Sequence, residues 1–463
     1  MAEQGLTPSP SPSPGAGEGS IGGGGHPHPP ASLSPPFSRA GESSDDGEAH
    51  PRSSPPFPHA GERGTARNTA SAAGGERGSS REQQAQALGR ARRRRFLGET
   101  ALSVLLPLLA WYSGLAPALG RALGLAAAPP GSPSAGVWLV GGGSLGAWLA
   151  AGVLVALLLL AYRLALLPLG YVAGYRLSRR YGLTTQSIAA WLLDWLKVTA
   201  LALALGVLVA LLCYGCLAAF GAGWWWVYAA LLSLGVVLLA YVAPYLLLPL
   251  FFRLRPLERG PLTERIDALF ARAHAPRPRI AAIDLSSRTT AANAAVIGLG
   301  TSRRVVLGDT LLDQFSLDEI ETVVAHELGH HVHADVWRGI AIQVGAIWIA
   351  LALAAALLDP LFAALGWGDW RAPAALPLLV FLAEVAGLVA LPVSNAFSRA
   401  VERSADRYAL DLTHRPAAFA AAMEKLASQN LIEPEPPRWA EWLLYTHPPV
   451  AQRIRMAEAY SHA

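Results

Sequence analysis

The stretch that decides the fold class is VTALALALGVLVALLCYGCLAAFGAGWWWVYAALLSLGVVLLAYVAPYLLLPLFF, residues 198–252, which contains no charged residue. A helix of about 20 apolar residues crosses the hydrocarbon of a bilayer, so this stretch is too long for a single span. The FGAG segment at 220–223 predicts a break between two spans. The whole chain is 52% hydrophobic and 15% charged, which indicates a membrane protein and excludes an ordinary soluble enzyme.

Four further apolar runs bring the prediction to about six spans. They cover residues 100–120, 137–162, 339–358 and 372–397. The first contains Pro107 and Pro117, which leaves open whether it crosses fully. The last is interrupted only by Glu384, and an acid inside a span is a candidate functional residue.

The basic residues give these spans an orientation. Arginine clusters precede the first span, follow the second and follow the fourth, whereas the alternate loops carry at most one basic residue. By the positive-inside rule, both termini and the polar segment 254–335 are expected to face the cytoplasm. The net charge of +4 is therefore interpreted as a topology signal, and no nucleic-acid partner is expected. Cys213 and Cys216 lie within a span and are expected to be small buried side chains.

The residues 325–335, AHELGHHVHAD, carry metal-binding chemistry. The preceding SLDE, 316–319, is a capping box that predicts the start of a helix. On that helix His326 and His330 are one turn apart and can hold one zinc ion. Glu327 points about 100° away and can take a proton from a zinc-bound water. His331 is expected to be a bystander, and His333 a bystander or a support of the site.

A third protein ligand is expected near the end of the sixth span. Glu402 and Asp406 are one turn apart on a predicted helix, so one can bind zinc while the other orients a ligand histidine. The same two carboxylates can instead form ordinary salt bridges on their own helix. The available partners for such bridges are Arg399, Arg403 and Arg407. Spacing alone leaves both interpretations open.

Two classes of function other than a zinc enzyme are also compatible with these residues. One is a transporter or channel with an incidental HExxH, supported only by Glu384 within a span. The other is a membrane protein that binds a metal without catalysis. The presence of Glu327 argues against the second class, because a scaffold has no use for a general base.

Three motifs in order carry a resemblance to a known family. They are VVAHELGHHVHAD at 323–335, SNAFSRAVERSADRYAL at 394–410 and THPPVAQRI at 446–454. Together they resemble the membrane zinc metallopeptidases of the CAAX prenyl protease 1 type, a family that includes bacterial heat-shock membrane proteases. The resemblance covers about residues 262–456, and the preceding spans look like the family's transmembrane region.

The resemblance implies an integral membrane zinc metalloendopeptidase with one Zn²⁺ per chain and its active site facing the cytoplasm. Its partners would be the lipid bilayer and peptide or protein substrates, including membrane-bound and prenylated ones. The implied metal ligands are His326, His330 and Glu402, and the implied catalytic residues are Glu327, His447 and Asp406. Asp406 would support Glu402, and His447 would stabilise the oxyanion.

The resemblance also implies that residues 293–312 contain an edge strand to which a peptide substrate adds. Two positions depart from the eukaryotic prenyl-protein enzymes. These have an aromatic residue where this chain has His331, and a histidine where it has Asp335. At both points the chain looks more like the bacterial members, which leaves the prenylation of its substrates open.

The predicted fold is mainly α: a multi-span transmembrane helical bundle with a small cytoplasmic α+β zinc metallopeptidase domain. A disordered tail rich in Pro, Gly and Ser and ending in a basic anchor is expected over 1–95. Residues 96–254 are expected to form an N-terminal transmembrane region of four spans. Residues 255–463 are expected to form the metallopeptidase domain with two further spans.

Overall fold

The computed structural model describes residues 63–125, 144–276, 279–299 and 304–462, with side chains from residue 81 onward. Three predictions fall partly outside these ranges. They are the tail over 1–62, the beginning of the second span at 137–143, and residues 300–303 of the segment expected to contain the edge strand.

Five helices form the N-terminal half of the described chain. They are α1 Arg63–Tyr112, α2 Leu115–Ala122, α3 Leu145–Leu169, α4 Ile188–Phe220 and α5 Trp224–Phe251. α3 continues through a π-helical segment, Gly170–Arg176, to Arg180. α1 and α2 meet at an angle of 55°, where Gly114 has a positive φ of 76°.

The uncharged stretch folds back on itself as predicted. A 3₁₀ turn, Gly221–Gly223, separates α4 from α5, and Gly221 has a φ of 51°. The Tyr228 hydroxyl donates to the Val209 carbonyl across the pair at 3.0 Å, so the two helices pack side by side. Cys213 and Cys216 are both free thiols, and Cys216 is buried in this packing.

The number of membrane helices agrees with about six. Among the described residues, four helical segments are long and apolar enough to span a bilayer, and the bent pair α1–α2 adds a fifth. One of the four is the segment Ile188–Phe251, which supplies two helices because it turns back at Gly221–Gly223. The protein is therefore a multi-pass integral membrane protein.

The start of α1 differs from the boundary predicted for the tail. Residues 63–95 belong to α1 rather than to a structureless segment, and Ala85 and Leu88 are buried against Leu183 and Leu431. The reason is local composition. Pro and Ser dominate the first residues of the chain, whereas residues 81–95, REQQAQALGRARRRR, consist almost entirely of good helix formers.

A four-stranded sheet follows the N-terminal helices. Its strands are β1 Leu254–Pro256, β2 Arg279–Ile283, β3 Ala294–Ile297 and β4 Arg304–Gly308, in the spatial order β1-β2-β4-β3. β2 and β4 are parallel, whereas β1 and β3 pair antiparallel with their neighbours. β3 is thus an edge strand with one side unpaired within the sheet, as the family resemblance implies.

Eight further helices complete the described chain. They are α6 Pro261–Arg272, α7 Asp309–Gln314, α8 Leu317–Val332, α9 Asp335–Leu365, α10 Leu376–Thr413, α11 Pro416–Asn430, α12 Arg438–Leu444 and α13 Val450–Ser461. One apolar core joins the sheet to α6, α8, α11 and α13. Its fully buried members include Ile266, Val305, Leu328 and Phe419.

The close approach of α8 to α10 brings the two metal-binding motifs together. The predicted capping box begins α8, because Ser316 Oγ accepts from the Glu319 N–H while Glu319 Oε2 accepts from the Ser316 N–H. A Cβ at Gly329 would lie 3.1 Å from the Ala405 Cα. That separation is tighter than normal contacts, so a residue without a side chain is needed where the helices meet.

Candidate active site

Three side chains from α8 and α10 converge on one point. The Nε2 atoms of His326 and His330 are 3.2 Å apart. The Glu402 carboxylate lies 3.3 Å from His326 Nε2 and 3.5 Å from His330 Nε2. These three residues form a group whose ligand atoms all lie within 4.8 Å of one another. The structure therefore brings together the three residues predicted to bind the metal.

The donor set fits a metal ion. Imidazole nitrogens and carboxylate oxygens bind zinc at about 2.0–2.2 Å, and a cation at that distance fits between atoms 3.2 to 3.5 Å apart. Glu402 Oε2 is buried and makes no hydrogen bond of normal geometry; the nearby nitrogen is His326 Nε2 at 3.3 Å. A buried carboxylate oxygen without a donor is costly, and a bound cation would satisfy it.

Each histidine contacts a carboxylate through Nδ1, the ring nitrogen that does not face the converging group. His326 Nδ1 is 2.9 Å from Asp406 Oδ1, and His330 Nδ1 is 3.1 Å from Asp335 Oδ2. A hydrogen bond at Nδ1 fixes the tautomer that leaves Nε2 free to bind a metal. Asp406 therefore lies behind His326, whereas the resemblance suggested that it supports Glu402.

Arginines in turn hold these two carboxylates. Arg453 donates to both oxygens of Asp406, through Nε at 2.8 Å and Nη2 at 2.5 Å, and Asp406 is fully buried. Arg338 donates to Asp335 Oδ1 at 3.3 Å. The salt bridges considered for Asp406 on its own helix are not formed, because its anion is satisfied by Arg453 from α13.

Burial alone would lower the pKa of His326, but its hydrogen bonds with Asp406 and Glu402 outweigh burial and raise the pKa to about 9. The pKa of His447 is shifted the other way. Partial desolvation and the nearby charges of Arg453 and His326 lower it, although the Glu402 carboxylate opposes the change.

Glu327 connects α8 to the edge strand β3. Its Oε2 accepts a hydrogen bond from the backbone N–H of Val296 in β3 at 3.1 Å. This contact uses the unpaired side of β3, since the opposite side pairs with β4. The carboxylate predicted to act as general base therefore lies where a peptide pairing with β3 would pass.

His447 reaches the same point from a different part of the chain. Its Nε2 is 3.3 Å from Glu402 Oε1, and its side chain is 58% exposed. Thr446 Oγ1 is 2.8 Å from its Nδ1. An exposed imidazole beside the ligand carboxylate can contact a substrate, so the structure brings together all six residues predicted for the site.

The other histidines of the motif lie elsewhere. His333 Nδ1 is 3.2 Å from Ser404 Oγ, and its ring packs against Tyr408. Among the described residues, the metal-binding group contains neither His331 nor His333. His333 thus helps to join α8 to α10 and is not one of the converging ligands.

Sequence reasoning missed the function of Asp335, which it recorded only as a departure from the eukaryotic enzymes. Ala334 adopts a left-handed conformation, with φ 56°, between α8 and α9. This turn brings Asp335 back to His330, although five residues separate them. An acid shortly after the second ligand histidine is the signal that could have indicated a supporting carboxylate.

Two family profiles match most of the chain. Peptidase family M48 matches residues 256–461, and the CAAX prenyl protease N-terminal region, described as five membrane helices, matches residues 75–253. An uncharacterized metalloprotease of Bacillus subtilis, YhfN, is 32% identical over 67% of this chain and 73% of its own. The chain belongs to peptidase family M48. It is therefore an integral membrane metalloendopeptidase, and the transporter and the non-catalytic scaffold are not favoured.

Two further comparisons give a relative that is similar in sequence and a solved structure with a similar fold. A CAAX prenyl protease 1 homolog of Oryza sativa is 30% identical over 63% of this chain and 69% of its own. The crystal structure of S. mikatae Ste24p has a TM-score of 0.66 at 22% identity and covers 81% of this chain and 88% of the other. The shared fold is a helical membrane bundle joined to a small metallopeptidase domain.

Proposed function

We propose that this M48 peptidase is a zinc endopeptidase that cuts extended polypeptide at the cytoplasmic face of its membrane. The observation that carries the proposal is the convergence of His326 Nε2, His330 Nε2 and the Glu402 carboxylate. One Zn²⁺ per chain would be held by these three atoms. Two imidazoles and one glutamate are a ligand set that zinc peptidases use, with a fourth position left for water or substrate.

Zinc in this position would polarise the scissile carbonyl and lower the pKa of a bound water. Glu327 would then accept the proton of the attacking water and deliver it to the leaving amine. His447 would donate a hydrogen bond to the carbonyl oxygen as that oxygen gains negative charge. Asp406, held by Arg453, would keep His326 in the tautomer that binds metal.

The substrate would add to β3 as an extra strand. Val296 offers its N–H on the unpaired side of the sheet, and Glu327 occupies that donor in the peptide-free structure. A substrate carbonyl would replace the carboxylate at this N–H and so release Glu327 toward the attacking water. Backbone pairing of this kind selects extended chain rather than a particular sequence.

The cytoplasmic orientation is proposed from the distribution of basic residues. Relatives named CAAX prenyl protease 1 make prenylated C-terminal peptides one candidate substrate class. The departures from the eukaryotic pattern at His331 and Asp335 keep an unprenylated membrane protein as the second candidate class. Proteomics of proteins captured by an inactive Glu327→Gln variant would decide between the two classes.

Removal of the metal is expected to abolish cleavage. We expect an incubation with a zinc chelator to stop hydrolysis of a quenched fluorescent peptide by the detergent-solubilised enzyme. Addition of Zn²⁺ should restore it, and elemental analysis should find about one zinc per chain. Cleavage that persists after the metal has been removed would contradict the proposal.

Replacement of Asp335 by Ala is expected to weaken zinc binding by about 10- to 100-fold, because His330 would lose the acceptor that orients it. The zinc dissociation constant can be measured by competition with a chromogenic chelator. Asp313→Ala is the matched control, since Asp313 is an exposed acid on α7 without a hydrogen bond or ion pair among the described contacts. Equal zinc affinity of Asp335→Ala and wild type would contradict this function of Asp335.

A further inference from the structure

A buried arginine lies on the helix that carries Glu402. Arg399 is 7% exposed and has no carboxylate partner among the described residues. Its Nη1 instead donates to backbone carbonyls, those of Glu441 at 2.8 Å and Tyr445 at 2.7 Å, with Trp442 further away at 3.5 Å. A guanidinium is costly to bury unless its donors find acceptors, and here Nη1 finds them among these carbonyls.

These carbonyls belong to the last turn of α12 and to the residue after it. The final carbonyls of a helix have no partner within the helix and carry partial negative charge. Asn395, which is 4% exposed, donates to a further one, the Leu443 carbonyl, at 2.6 Å. Asn395 and Arg399 therefore hold the end of α12 through side chains on one face of α10, the face that carries Glu402.

The segment that follows α12 contains His447 only two residues after Tyr445. Pro448 and Pro449 restrict the backbone after His447. The His447 side chain is mostly exposed, and its imidazole contacts Thr446 and Glu402 rather than a packed core. The backbone anchors at 441–445 consequently determine where the imidazole lies.

We infer that Arg399, assisted by Asn395, is a positioning residue that sets the place of His447 relative to the metal ligand Glu402. The inference rests on the proposed function of His447. One helix thereby supplies the third metal ligand and also holds the loop that carries the oxyanion-stabilising imidazole. The salt bridge between Arg399 and Glu402 that spacing allowed is not formed, which leaves the guanidinium free for this loop.

Replacement of Arg399 by Met keeps the apolar stem and removes the donors. We expect kcat to fall by about 10- to 100-fold, because a displacement of about 1 Å of a catalytic group has an effect of this size. KM and the zinc dissociation constant should change little, since β3 and the three ligands remain. Arg399→Lys should recover part of kcat, because an ammonium can reach some of the carbonyls but lacks the planar fork.

Arg403→Met is the matched control. Arg403 is one turn further along α10, is exposed, and makes no hydrogen bond or ion pair among the described residues. The Arg403→Met substitution removes a positive charge from the same helix, and we expect it to leave kcat at the wild-type value. Hydrogen exchange gives a readout that does not depend on activity. The backbone amides of residues 441–447 should exchange faster in Arg399→Met than in wild type, and at the wild-type rate in Arg403→Met. If Arg399→Met does not fold, the same measurements on Arg399→Lys decide the question.

A double-mutant cycle with His447→Ala tests whether the two residues act together. If Arg399 acts through His447, the double variant should lose no more activity than His447→Ala alone. Wild-type kcat for Arg399→Met beside an impaired His447→Ala, or fully additive losses, would overturn the inference and leave the proposed mechanism intact. Wild-type kcat for His447→Ala would overturn the proposed function of His447 and the inference with it.

Discussion

Replacement of Glu327 by Gln is expected to lower kcat for peptide cleavage by about 10²- to 10⁴-fold, the usual contribution of a general base. The amide has nearly the same shape, and its oxygen can still accept from the Val296 N–H. It cannot take a proton from water. Zinc should remain bound, because the three proposed ligands are unchanged.

The measurement is kcat on a quenched fluorescent peptide together with the zinc content of the purified variant. Glu424→Gln is a suitable control, since Glu424 is an exposed acid on α11 with no hydrogen bond or ion pair among the described contacts. It should keep both activity and metal. A Glu327→Gln variant that cuts at the wild-type rate would rule out the proposed mechanism, whereas one that loses its zinc would show that Glu327 is needed to hold the metal.

Replacement of Asp406 by Asn is expected to reduce both stability and metal binding. Asp406 is fully buried and accepts from Arg453 and from His326. The substitution would leave the Arg453 guanidinium buried without an anion, at a cost of about 3–5 kcal/mol. The His326 ring would lose its charged partner, which lowers zinc affinity by about 10- to 100-fold.

Thermal unfolding in detergent and chelator competition measure the two effects separately. The double variant Asp406→Asn with Arg453→Met removes both charges, so it should recover much of the stability. It should not recover the zinc affinity, because the partner of His326 is still changed. An Asp406→Asn variant with wild-type unfolding temperature and wild-type zinc affinity would contradict the assigned function of this carboxylate.

Much of the fold and part of the site follow from local sequence patterns. The uncharged run at 198–252 predicts two helices because its length exceeds one bilayer crossing, and the glycines mark the turn. His326 and His330 share a helix face by spacing alone. These features depend on neighbours within a few residues, which is why the sequence predicts them.

Long-range features needed the structure or the family resemblance. Spacing alone allowed a salt bridge between Glu402 and Arg399. The local sequence does not show that Arg399 donates instead to backbone carbonyls of residues 441–445. The partnership of Asp406 with Arg453 crosses 47 residues of sequence. The helical start of α1 was missed because composition averaged over the tail hides a short run of helix formers.

Helix α10 runs from Leu376 to Thr413 without interruption, although it contains Pro392. Its apolar membrane-spanning segment and Glu402 therefore belong to one continuous helix. The two histidines belong to α8, which lies outside the membrane-spanning segments. The packing of Gly329 against Ala405 holds the two histidines to the same helix, so the three converging side chains are joined to the membrane-spanning part of the chain through α10.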